Sequence, residues 1–154
     1  MIKMPLLLAI GAAAALSAAQ PAPPPSELSA LMAKTRVVGQ LAGWCRGEFR
    51  AGRRNAFAAA VASAGGGGRY LVLDGDADVV ELAAFKGAPD LSCYAPGEAR
   101  KLSESIRRSD TISGRVVPTF ATTVICGFVE DTNAACWQYS PAARAFVKIG
   151  GWVT

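Results

Sequence analysis

A chain of 154 residues with no histidine and a formal charge of +4, from 16 Lys+Arg against 12 Asp+Glu, excludes several chemistries before any motif is read. Imidazole is the usual general base, nucleophile activator and metal ligand near neutral pH, so Ser-His-Asp and Cys-His catalysis are ruled out. No serine is followed three places later by lysine, which removes the S-x-x-K alternative as well.

The first residues, MIKMPLLLAIGAAAALSAAQ, place Lys3 before an apolar run from Leu6 to Leu16, with Ser17 and Ala19 at the small positions ahead of a cut at Gln20. This is the pattern of a secretory signal peptide over residues 1–19. No later segment approaches the roughly 20 apolar residues of a spanning helix, so no membrane span is expected, and the location expected is periplasmic or secreted. "LAGWC" at Leu41 to Cys45 has the look of a lipobox. Trp44 interrupts it, however, and Cys45 lies far beyond the apolar run that a lipobox closes. Residues 20–26, QPAPPPS, form a proline-rich leader, and residues 27–154 are long enough for a single domain with a real core.

Within that domain Ser26 reads as an N-cap, with Glu27 in the first turn, for a helix through about Gln40. Leu28, Leu31, Met32, Thr35 and Val38 would form its apolar stripe. Asn55 to Ser63, NAFAAAVAS, stays open between two readings, because alanine favours helix while Phe57, Ala59 and Val61 alternate as in a strand. The four glycines Gly65 to Gly68 suit a helix stop or a hairpin turn. Arg69 to Leu73 and Val79 to Phe85 are β-rich runs around the turn Asp74 to Asp78, and so predict a hairpin. A second short helix is predicted from Gly97 to Arg108, burying Ala99, Leu102 and Ile106. From Val116 to the end, three alternating runs parted by "DTN" and "SPAAR" predict a three-stranded antiparallel meander. The fold class expected is α+β: antiparallel sheet including this C-terminal meander, with an N-terminal helix and a second short one.

Four cysteines in an exported chain predict two disulfides out of three possible connectivities. Cys126 and Cys136 flank the "DTN" turn at an even separation that favours one bridge across adjacent strands, which leaves Cys45 with Cys93. None lies in a C-x-x-C, so neither a redox pair nor a zinc site is expected.

Charge is uneven along the chain. Lys34, Arg36, Arg46, Arg50, Arg53, Arg54 and Arg69 face only Glu48 in their stretch, whereas Asp74 to Asp90 holds five acids against Lys86. Arg46, Arg50, Arg53 and Arg54 are therefore candidates for an external anion or partner. The competing reading is that this basic loop and the acidic hairpin neutralise each other at the surface. No aromatic residues are interleaved with the arginines for base stacking, so no nucleic acid is expected. "DGDAD" places Asp74, Asp76 and Asp78 as a calcium loop begins, but Val79 and Phe85 stand where that loop needs glycine and a bidentate glutamate, so no metal and no cofactor are expected.

"GEFRAGRRN", residues 47–55, resembles the G-D-F-[DN]-G-D-G-x-x-D segment of FG-GAP/VCBS-type repeats, secreted β modules whose loops hold calcium. Gly47, Glu48 and Phe49 match in kind, Arg54 loosely, and Asn55 stands for the closing acid after a one-residue deletion. Arg50 replaces a ligand and Ala51-Gly52-Arg53 lacks the central aspartate, so guanidinium groups would take the cation's place. "SDTI" at Ser109 to Ile112 and "FVKIGGW" near the end bear a looser likeness to small exported domains carrying such a degenerate loop. The resemblance implies strand for Asn55 to Ser63 and implies no activity.

Trp137, Tyr139, Phe146 and Trp152 lie on the meander, where strand spacing predicts core sooner than a ligand groove. The function expected is that of a small exported cell-envelope binding or interaction domain, of an inhibitor-like or accessory kind, acting on an envelope protein or an anionic polymer. Two alternatives are a carboxylate-dependent hydrolase using Asp74, Asp76, Glu81 or Glu48, and a purely structural, self-associating domain.

Overall fold

The computed structural model describes residues 23–75, 78–101, 121–130 and 133–153. The predicted signal peptide, residues 20–22 of the leader, Asp76, the predicted second helix beyond residue 101 and the "SDTI" segment lie outside the described residues. Strand dominates what is described: helix α1 (Ser26–Lys34) is followed by β1 (Gln40–Gly47), β2 (Ala56–Ala62), β3 (Gly68–Leu73), β4 (Val79–Phe85), β5 (Leu91–Tyr94), β6 (Val124–Glu130), β7 (Asn133–Ser140) and β8 (Ala145–Val153). A second helix, α2, occupies 96–101 of the described residues. Two four-stranded antiparallel sheets result, ordered β1-β2-β3-β4 and β5-β6-β7-β8. The fold is mostly β, with the helices as accessories.

The strand period of two explains how these elements stack. Ala56, Ala58 and Ala60 of β2, with Tyr70 and Val72 of β3, pack against Ile125, Ala135 and Trp137 of the second sheet. The alternate residues Phe57, Ala59, Val61, Leu71 and Leu73 pack on the opposite face with Leu28, Leu31 and Met32 of α1. On the outer face of the second sheet, Ala99 of α2 covers Val124, Cys126 and Cys136. The order is helix, sheet, sheet, helix. Strand β2, buried along all but its last residue, is the central piece. Its alanines favour helix in isolation, but burial on both faces between two neighbouring strands overrides that preference.

Helix α1 stops earlier than the predicted Gln40, and Pro25 rather than Ser26 holds the N-cap position. The stop is a Schellman turn: the Arg36 N–H donates to Ala33 O at 3.2 Å and the Val37 N–H to Met32 O at 3.0 Å, with Arg36 left-handed at φ 56°. Glycine is the residue that ordinarily marks such a turn; here arginine adopts the conformation at a cost of about 1–2 kcal/mol. Val38, expected on the buried stripe, is consequently beyond the helix and 82% exposed. Gly39, at φ 135°, turns the chain into β1, a strand that the sequence pattern does not predict.

Tyr70 joins the two sheets. It is fully buried, its hydroxyl donates to Phe128 O at 2.7 Å and accepts from the Asp90 N–H at 3.3 Å. Its ring lies so close to Gly127 that a Cβ there would meet it at 2.7 Å. Burial raises the hydroxyl's pKa above its ordinary 10, an effect that outweighs the backbone hydrogen bond from Asp90. Because the folded state holds this proton more tightly than the unfolded chain does, the stabilisation is complete below about pH 10 and is lost as pH rises through the folded pKa. Urea titrations from pH 8 to 11.5 should show stability declining above pH 10, and Tyr70→Phe should flatten that decline while lowering the plateau by about 1–2 kcal/mol. An unchanged slope in the variant would assign the decline to other groups.

Candidate functional site

The loop between β1 and β2 is built on a tight turn. The Arg53 N–H donates to Arg50 O at 3.0 Å, and Gly52 sits third in the turn at φ 80°, as type II geometry requires. Glu48 Oε1 accepts from the Gly52 N–H at 2.9 Å. Phe49 is fully buried and pins the loop to the core, while the Glu48 backbone exchanges hydrogen bonds with Thr123 at 2.9 and 3.2 Å. Arg50 and Arg53 thereby point the same way, toward the β3–β4 turn.

There they meet Asp74, whose side chain is only 4% exposed. Arg53 Nη1 lies 2.7 Å and Arg50 Nη1 3.4 Å from its Oδ2, and Asp78 stands 3.7 and 3.9 Å from the same two nitrogens. The Arg50 guanidinium also stacks 4.9 Å from the Tyr139 ring and 5.8 Å from Phe146. These two aromatics are half-buried, whereas Trp137 is in the core. Arg50 therefore ties the loop to the β7–β8 hairpin. Its Nε is buried without a hydrogen-bond acceptor among the described residues.

The remaining two candidate arginines are placed differently. Arg54 is 87% exposed and 3.8 Å from Glu48. Arg46 projects from β1 on the helix side of the first sheet, directly opposite Phe57. Its guanidinium lies 4.8 Å over the Phe57 ring and 3.6 Å from Glu27 of α1, both partners of that ion pair being well exposed. It borders an open cleft of about 350 Å³ between α1 and the sheet. Lys34, Asn55, Ala30, Leu31 and Gly75 complete most of its described lining. The sequence reading named Arg46 but neither Lys34 nor the cleft as part of a site. The one signal was cross-strand pairing, legible only once β1 is known to be a strand.

Other predicted positions are dispersed. Glu81 pairs with Arg69 at 3.6 Å on the sheet surface, and Glu48 is engaged with the turn, so neither converges with Asp74 on a common opening. Among the described residues no three His, Cys, Asp or Glu side chains are grouped to hold a metal ion, and no helix is long and apolar enough to cross a membrane. Cys45–Cys93 joins β1 to β5, and Cys126–Cys136 joins directly paired positions of β6 and β7.

No protein-family model, no curated protein and no solved structure matches the chain.

Proposed function

We propose that the chain is a small exported binding domain of the cell envelope, and that it engages an anionic group through the cleft between α1 and the first sheet. The observation that carries this reading is the placement of Lys34 and Arg46 on one open cleft with Asn55, with Glu27 as the one acid among the described lining residues. Arg50 and Arg53, by contrast, are committed to Asp74 and Asp78. Two disulfides suit an oxidising compartment, in keeping with export. A carboxylate-dependent hydrolase has less support, since Asp74 is enclosed by two guanidinium groups and Glu48 and Glu81 are each engaged elsewhere.

The anion would come from an envelope protein or polymer. At about 0.15 M salt, where surface attraction beyond roughly 8 Å is screened, the protein should be retained on immobilised poly-glutamate. Lys34→Gln with Arg46→Gln should abolish retention, and Arg54→Gln should not. Equal loss in the Arg54 variant would mean that general surface charge, and not this cleft, does the binding.

A further inference from the structure

We infer that the ligand of the α1 cleft is amphiphilic: a single phosphate or carboxylate carried on a short aliphatic chain. This rests on the reading above, that the cleft takes an anion, and specifies what the anion is attached to. The polar groups are few and of unequal sign. Among the described residues Lys34 and Arg46 oppose Glu27, so the lining carries about one net positive charge, enough for one anionic head. Arg46 lies over the Phe57 ring and shares its guanidinium with Glu27 at 3.6 Å, an exposed pair that an anionic head can displace.

Beneath and beside that head site the lining is apolar. Leu31 and Ala30 form the helix wall over the buried Phe57 ring, while the small side chain of Ala30 and the absent one of Gly75 leave the space open. At ~30 Å³ per water-sized group, the cleft accommodates about a dozen such groups. A bare inorganic anion would leave most of that surface in water. A chain of several methylenes would cover it, each contributing to affinity as it is buried.

The test compares octyl phosphate, inorganic phosphate and octanol by calorimetric titration into the full exported protein. Octyl phosphate should bind at least about 30-fold more tightly than inorganic phosphate, the gain expected from burying two to three methylenes, and octanol should bind weakly. Ala30→Trp fills the cleft from an exposed helix position and should erase the octyl advantage while leaving the thermal midpoint near that of the parent. Ala30→Leu, a smaller filler, should reduce the advantage if the tryptophan variant fails to fold. Equal affinity for the two phosphates overturns the amphiphile and leaves the anion site standing. An octyl advantage that survives both Ala30 variants places the chain elsewhere and also overturns it. No binding of either phosphate, together with no retention on poly-glutamate, overturns the anion site itself. Vesicles of phosphatidylglycerol serve as a further arm: sedimentation of the protein with them, undiminished in the Ala30 variants, would assign the attraction to a charged surface, and monomer binding without sedimentation would assign it to the free amphiphile.

Discussion

Asp74→Ala lowers folding stability by about 3 kcal/mol, because it removes the buried carboxylate from between two guanidinium groups. The carboxylate is 4% exposed, with Arg53 and Arg50 at 2.7 and 3.4 Å. Arg50 cannot easily turn to water: Tyr139 and Phe146 cover its face, and its Nε already lacks an acceptor among the described residues. Arg53 is more than a third exposed and can rehydrate, which sets the loss toward the lower end of the range for broken buried pairs. Urea unfolding should show a lower midpoint at unchanged slope. Arg54→Ala is the control; exposed and 3.8 Å from its carboxylate, it should move stability by no more than about 0.5 kcal/mol. If Arg50 and Arg53 served an outside anion instead, Asp74→Ala would leave stability nearly intact and tighten anion binding.

The second large effect concerns the disulfides, and the two should differ. Cys45–Cys93 closes a separation of 48 residues and Cys126–Cys136 one of 10. Chain entropy then assigns about 4 kcal/mol to the first and about 3 kcal/mol to the second. Packing widens the gap. The second bridge lies within a hairpin that hydrogen bonds already hold in register, whereas the first fastens an edge strand of one sheet to an edge strand of the other. The paired serine variant at Cys45 and Cys93 should therefore unfold at the lower urea concentration. The reverse order would show that the sheet interface holds without its clasp.

What could be read from the sequence was whatever depends on near neighbours. The hairpin from Arg69 to Phe85 and the strands after Val124 announce themselves by alternation and turn residues, and their registers follow from short loops. Strand β1 did not, because "QLAGWCRG" alternates weakly and its helix-side neighbour ends in a turn made by arginine, where glycine would have signalled it. Strand β2 was ambiguous for another reason: burial on both faces removes the polar half of the pattern on which a strand is recognised. The candidate site was half visible. A basic loop and an acidic hairpin can be counted in the chain, but which arginine meets which aspartate is decided by Phe49 anchoring the loop. The cleft needs Lys34 and Arg46 brought together from two elements, and no spacing in the sequence encodes that.

Strand β2 also carries a hazard that its position contains. "AFAAAVA" has no charge and no proline, and a flat, uncharged run of this kind stacks readily with copies of itself once its backbone is unpaired. In the folded chain its two edges are taken by β1 and β3. Of these β1 is the outer strand of its sheet among the described residues, with Cys45 bonded across to Cys93. Reduction of that bridge removes the one covalent tie on the strand that shields β2, and leaves the cover to the β1–β2 hydrogen bonds alone.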